Sequence, residues 1–270
     1  MAKLSAQEIA RYHDQGWLIP GYRLPAAQLA HMRATLDQLL RDNPGVRPEK
    51  LVSAHIEGDN GEGVRGSAEF LAFARDPQIV DLVSQIIGDD IILWGCHIFC
   101  KPGGDGYETP WHQDGHYWPI RPLANVTVWV ALDDSTAENG CLRVIPGSHR
   151  ARVTHPHLLE DREDLSLTQR TADDAFDVAH AVDVELEAGQ MSLHDVYMIH
   201  GANPNRSTRR RAGVALRYMP GTSVFERDLV TAQGRSGIPV AFATRPIWLL
   251  RGQDRTGRND FEVGHRRLVT

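Results

Sequence analysis

The spacing of apolar residues divides the chain into a helical first third and a strand-rich remainder. Ser5-Ala6-Gln7-Glu8 has the serine-to-glutamate spacing in which each side chain caps the other's backbone N–H, so a short helix is predicted from there to before Gly16. Trp17-Leu18-Ile19-Pro20 reads as a short strand. From Pro25 to about Asp42, Leu29, Met32, Leu36, Leu39 and Leu40 recur at helical spacing, and Asn43-Pro44-Gly45 stops the helix. Four glycines and mixed charge between Gly58 and Gly66 predict a mobile loop. Asp76-Pro77 supplies a cap and a proline at the first helical position, for a helix running to Gly88.

After Gly88 the rhythm changes to that of strands. Ile91 to Cys100 is strand-like, and Lys101 to Gly106 turns the chain. Between Asn125 and Leu132, Val126, Val128 and Val130 alternate with Thr127 and Trp129, as on a strand with two different faces. Leu142 to Ile145, Val182 to Leu186, Met191 to Val196 and Val214 to Met219 add short strands, separated by turns such as Glu138-Asn139-Gly140 and Pro146-Gly147-Ser148. Residues 157–177 are acidic and poor in strand formers, which predicts a surface excursion. Many short strands with such turns indicate a β-barrel or a jelly roll, and periodicity does not separate the two. The expected architecture is mainly β with a helical N-terminal third. It forms a single domain: helical over 1–90, a β core over 91–220 and a C-terminal extension over 221–270.

Composition narrows the function. With 270 residues the chain can bury a core without staples, and a net charge of -6 offers no general attraction to nucleic acid or anionic membranes. The three cysteines, Cys96, Cys100 and Cys141, lack metal spacing and read as reduced, partly buried thiols. No stretch is long and apolar enough for a membrane span, and Arg267-Leu268-Val269-Thr270 is not a peroxisomal signal, so a cytoplasmic protein is expected. Homo-oligomerisation is left open.

The chemistry gathers around Trp111-His112-Gln113-Asp114-Gly115-His116-Tyr117-Trp118-Pro119. On a strand, His112 and Asp114 share a face and offer an imidazole and a carboxylate to one divalent metal. His200 is the best third ligand. Two histidines and one carboxylate on one side of a metal leave the opposite positions open, an arrangement that favours Fe(II) with a co-substrate and O2. Arg211, eleven residues after His200, carries the fork suited to the distal carboxylate of 2-oxoglutarate; Arg209 and Arg210 read as solvated. Gln113, His116, Trp118 and His55 are candidates for the substrate pocket, and Trp248 and Arg251 for a cover over it. His194 reads as packing, and His149 as a structural hydrogen bond.

These residues also carry a family likeness. The motifs His112-Gln113-Asp114-x-His116-Tyr117-x-Pro119-x-Arg121-Pro122, Asn139-Gly140-Cys141-Leu142-Arg143-Val144-Ile145-Pro146-Gly147-Ser148-His149 and His200-Gly201-Ala202-x-x-Asn205 resemble those of the phytanoyl-CoA dioxygenase family. Asp14-Gln15-Gly16-Trp17-Leu18 is similar to the family's opening. The resemblance implies a double-stranded β-helix of the jelly-roll, cupin-like kind with iron at its mouth. It implies His112, Asp114 and His200 as ligands of Fe(II), Arg211 as the 2-oxoglutarate anchor, and Trp129 and His97 as further co-substrate contacts. Ala202 departs from a serine common in the family, which implies that one hydrogen bond to the co-substrate is either missing or supplied elsewhere. The expected reaction consumes O2 and 2-oxoglutarate, hydroxylates a small molecule and releases succinate and CO2. Desaturation, epoxidation or cyclisation on the same iron is the alternative, and a non-catalytic cupin-like binding protein is the alternative of another class.

Overall fold

The structure, a computed structural model, describes residues 1–229 and 241–265; the C-terminal residues 267–270 read above lie outside them. Among the described residues are four α-helices. In α1 (Ala6–Gln15) the Ser5 hydroxyl accepts from the Glu8 N–H while the Glu8 carboxylate accepts from the Ser5 N–H, as the spacing predicts. The helix ends at Gly16, whose φ of 81° is left-handed backbone. α2 (Ala26–Asp42) has no side-chain cap and is held by burying Met32, Leu36 and Leu39. α3 (Ala68–Ala74), too short to show as a periodic pattern, is capped by Ser67. In α4 (Pro77–Ile87) the Asp76 carboxylate accepts from the Gln78 N–H.

Two antiparallel sheets make up the rest of the core. The larger runs, in spatial order, Trp17–Leu18, Met191–Asp195, Val126–Ala131, Arg211–Pro220, Ile91–Lys101 and Trp248–Arg251, with Leu51–Val52 also paired to Ile91–Lys101. The smaller runs Val182–Val184, Leu142–Val144, Ile199–Ala202 and Thr109–Gln113. The chain passes back and forth between the sheets up to Leu142–Val144, then retraces its course from Val182–Val184. Each of the first four principal strands is thereby paired with one of the last four: Ile91–Lys101 with Arg211–Pro220, Thr109–Gln113 with Ile199–Ala202, Val126–Ala131 with Met191–Asp195, and Leu142–Val144 with Val182–Val184.

Period-two alternation then decides what each face meets. Val126, Val128, Val130, Leu193, Val214 and Leu216 form one apolar cluster with α2, α3 and α4. On the other face Trp129, Ala131 and Ala215 pack against Leu142, Val144 and Val184 of the smaller sheet. The functional site lies in this inter-sheet layer.

Two segments differ from the sequence expectation. The stretch from Gly58 to Gly66 is a hairpin of the strands Gly58–Asp59 and Arg65–Gly66, tied down by polar side chains. Asn43 bonds Arg65 through both its amide nitrogen and its oxygen, and buried Glu62 pairs with Arg245 at 2.8 Å. Residues 157–177 are not simply a surface excursion: the hairpin His157–Leu159 with Gln169–Thr171 buries Leu167, Gln169 and Thr171 against the site. Its apolar content is too low for period to reveal it.

Candidate metal centre

His112 lies on Thr109–Gln113 and His200 on Ile199–Ala202, a strand the sequence reading missed because Ile199-His200-Gly201-Ala202 carries little strand-forming apolar pattern. The two are direct cross-strand partners, their rings 4.1 Å apart. Asp114 does not share the strand of His112, as the sequence suggested; the strand ends at Gln113 and Asp114 opens a 3-10 turn. Its carboxylate nevertheless stays on the same side, 3.7 Å from His112 Nε2. One donor atom from each of His112, Asp114 and His200 lies within 4.8 Å of the others, and all three residues are buried.

The rings are already set for a metal. His112 Nδ1 sits 2.8 Å from the Pro110 carbonyl oxygen, and His200 Nδ1 3.0 Å from that of Met198. A carbonyl can only accept, so each Nδ1 carries the proton and each Nε2 turns a lone pair toward Asp114 and its opposite number. Burial pushes the His200 imidazole well below its ordinary value, with His112 adding to the effect, which keeps it neutral as a ligand must be. Burial alone would raise the Asp114 carboxyl. His112, His194, His200 and Arg217 outweigh it and hold the group well below the usual carboxylate range.

Two chambers of about 460 and 440 Å3, mouths included, meet at His112 and Asp114. The first is lined by His200, Thr127, Trp129, Ala202, Ala215 and Arg211. Arg211 is buried, spends one N–H on the Phe99 carbonyl at 3.3 Å and keeps its Nε without a partner. Its guanidinium lies 5.3 Å from the centre of the Trp129 ring, and burial lowers its pKa to about 10. Room for that indole comes from Gly213, where a Cβ would fall 2.0 Å from Trp129. No carboxylate pairs with Arg211 among the described residues, so its fork is free for a ligand. The second chamber is lined by Trp94, His97, Tyr117, Trp118, Leu167, Phe242, Arg217 and Arg245.

The remaining candidates separate clearly. His97, expected beside the co-substrate, lines the second chamber, stacked on Phe99 at 4.3 Å. Trp118 also lines it, edge-on to Trp94. Gln113 lines neither chamber. It is fully buried, its amide donating to Val153 and Tyr197 carbonyls and accepting from the His155 N–H, so it anchors the chain leading into the covering hairpin. His116 stacks on His157 at 3.9 Å and bonds Gln169, a contact with that hairpin. His55 lies elsewhere, against Trp248 in a separate cavity. Trp248 and Arg251 do not cover the site, since their strand extends the larger sheet and Arg251 pairs with Asp81; Phe242 and Arg245 of the same segment reach the second chamber. Arg210 is partly exposed and, beyond what the sequence suggested, joins Asp133 to Asp37 of α2. His149 does make the structural bond expected of it, to the His13 carbonyl.

Several site residues escaped the sequence reading. His194 lines the first chamber with neither ring nitrogen bonded, one of them 3.9 Å from Asp114. Arg217 lines both chambers. Strand parity was the available signal: Ser192 and His194 share a face, as do Arg211, Ala215 and Arg217. Lys101, fully buried, donates to the Ala202 and Asn203 carbonyls and clamps the chain just after His200.

Among solved structures, the non-haem monooxygenase ThoJ aligns with a TM-score of 0.70 at 26% identity, covering 91% of this chain and 84% of its own. Fold and site together liken the chain to the class of non-haem oxygenases. Within that class, the chain belongs to the phytanoyl-CoA dioxygenase (PhyH) family, which residues 12–213 match. A probable alpha-ketoglutarate-dependent hypophosphite dioxygenase of Stutzerimonas stutzeri is 31% identical over 148 residues, 54% of this chain and 51% of that protein. An ectoine dioxygenase of Sphingopyxis alaskensis is 25% identical over 233 residues, 80% of this chain and 76% of that protein. The match thus spans about half the length of the first relative and three quarters of the second. No helix among the described residues is long and apolar enough to cross a membrane.

Proposed function

We propose that the protein is an Fe(II)- and 2-oxoglutarate-dependent dioxygenase that hydroxylates a small molecule, and that its paired strands form a double-stranded β-helix. The observation that carries the reading is the pair of backbone-anchored histidines, with Nε2 atoms free beside Asp114, opening onto a chamber that ends in an unpaired arginine. Bound iron supplies the oxidation, in which O2 and 2-oxoglutarate yield succinate, CO2 and a hydroxyl on the substrate.

The chain's own residues bind and orient. His112, Asp114 and His200 would hold the metal, the two imidazoles already oriented by their Nδ1–carbonyl bonds. Arg211 pairs with the far carboxylate of 2-oxoglutarate, and Trp129 forms the wall beside it. The second chamber receives the substrate, and the hairpin carrying Leu167 and the segment carrying Phe242 shield it from water.

The test is spectroscopic. Metal-free protein given Fe(II) and 2-oxoglutarate under argon should develop a weak visible charge-transfer band, absent in Asp114→Ala and Arg211→Ala proteins. Iron binding with no such band would overturn the co-substrate assignment.

A further inference from the structure

The second chamber holds a charge that the proposed chemistry does not use. Arg217 lies on the strand Arg211–Pro220 at a shift of register: it pairs with Gly95 while Tyr218 pairs with Leu93, which leaves Trp94 as the extra residue of a bulge. Its partner on that strand is thus a glycine without a side chain, while Thr127 flanks it on the other side, and a Cβ at Gly95 would touch Arg217 Cδ at 3.4 Å and Arg245 Nη1 at 3.6 Å. The guanidinium carbon of Arg217 stands 4.9 Å from the centre of the Trp118 ring and 5.7 Å from that of Trp94. Its Nε is shut off from solvent with no hydrogen-bond partner, and no carboxylate pairs with it among the described residues. Its neighbour Arg245 is different, bonded to both oxygens of Glu62 at 2.8 and 2.9 Å.

The charges around the two chambers point the same way. A divalent metal on Asp114 together with Arg211 balances the two carboxylates of 2-oxoglutarate. Glu62 balances Arg245, and burial keeps the His97 imidazole neutral. That leaves Arg217 as the lining cation without a counter-charge. Its favourable contact with two indoles does not replace an anion, because a largely enclosed guanidinium whose Nε meets no acceptor gains from a paired, hydrogen-bonded counter-charge.

We propose that Arg217 binds an oxoanion of the primary substrate, a carboxylate or phosphonate, while an apolar or aromatic body lies against Trp94, Tyr117, Trp118, Leu167 and Phe242. The substrate is then a small organic anion, fixed at one end so that a carbon faces His112 and Asp114. This assignment rests on the dioxygenase reading above for its charge balance.

The test uses protein loaded with Fe(II) and saturating 2-oxoglutarate under argon, so that Arg211 is occupied. Benzoate, phenylphosphonate and neutral benzyl alcohol are titrated in, followed by tryptophan fluorescence and by perturbation of the charge-transfer band. At least one anion should bind about tenfold or more tighter than benzyl alcohol, as a charged hydrogen bond provides. That preference should vanish in Arg217→Met and survive in part in Arg217→Lys. Benzyl alcohol binding as tightly as both anions, or a preference that persists undiminished in Arg217→Met, would overturn the assignment. The wild-type comparison decides even if the methionine variant does not fold. Absence of the band would sink the co-substrate reading alone, and the Arg217→Met titration would still judge Arg217, since an anion held by Arg211 instead would keep its preference there.

Discussion

On the strand Arg211–Pro220, Ala212, Val214, Leu216 and Tyr218 belong to the cluster shared with the helices, while Arg211, Ala215 and Arg217 line the chambers. The same division runs across Val126–Ala131, with three valines outward and Thr127 and Trp129 inward, and across Met191–Asp195. The one hydroxyl that Arg211–Pro220 sends to the outer side is satisfied: that of Tyr218 donates to the Ala74 carbonyl at 2.9 Å. The inner side holds buried polar atoms without partners: His97 Nε2, both nitrogens of His194, and the Nε atoms of Arg211 and Arg217. Each such atom costs roughly 1–3 kcal/mol. One sheet therefore keeps its stability on one face and its unmet chemistry on the other, where a ligand would relieve it.

Substitutions one residue apart should separate the two faces. The largest effect is expected at the ligands: His200→Ala should lower succinate release roughly a thousandfold or more, about 4 kcal/mol in barrier, with the melting midpoint of the metal-free protein little changed. Next comes the outer face, where Leu216→Ala should cost about 2–5 kcal/mol in denaturant unfolding and leave 2-oxoglutarate affinity intact. A large loss of affinity there would break the separation. Arg211→Met should weaken 2-oxoglutarate about 10- to 100-fold by titration of the charge-transfer band, with no loss of stability, since it removes an unpaired Nε.

The smallest effect is on pH dependence. Burial holds the His55 and His97 imidazoles well below their ordinary value. An unfolded imidazole takes its proton near pH 6.5, so between there and the lower folded value the unfolded chain binds the extra protons. Stability is then full above about pH 6.5 and falls as the pH drops further. His55→Phe should flatten that slope by up to about 1.4 kcal/mol per pH unit, read from denaturant midpoints of metal-free protein at pH 7.5 and 5.5. An unchanged slope would mean that His55 is not buried as a neutral ring.

Features set by local chemistry could be read from the sequence. The Ser5–Glu8 cap, the stripe of α2, the alternating valines and the spacing of His112 and Asp114 all depend on neighbours a few residues away, while His200 was reached through ligand chemistry and the motif likeness. What was hidden depends on distant partners. The bulge at Trp94 shifts the parity of its strand, so Ile91 and Leu93 share a face with Cys96, Ile98 and Cys100, and His97 could not be placed by counting. His194 and Arg217 are single polar residues in apolar strands; parity marks their face, but which chamber they line appears only once the opposite sheet is in place. The covering hairpin is held by polar bonds of Gln113, His116 and His157, which leave no hydrophobic rhythm.

The cross-strand register of His112 and His200 also bears on how the protein comes to hold a metal. A growing chain that has not yet produced Ile199–Ala202 has at most two of the three donors, and a slip of one position would turn His200 away from them. A metal ion cannot meet all three donors until the second half of the chain has wound back onto the first. Retention of the ion therefore marks a finished molecule, and a stalled or misregistered one should stay empty and be recognisable by that alone.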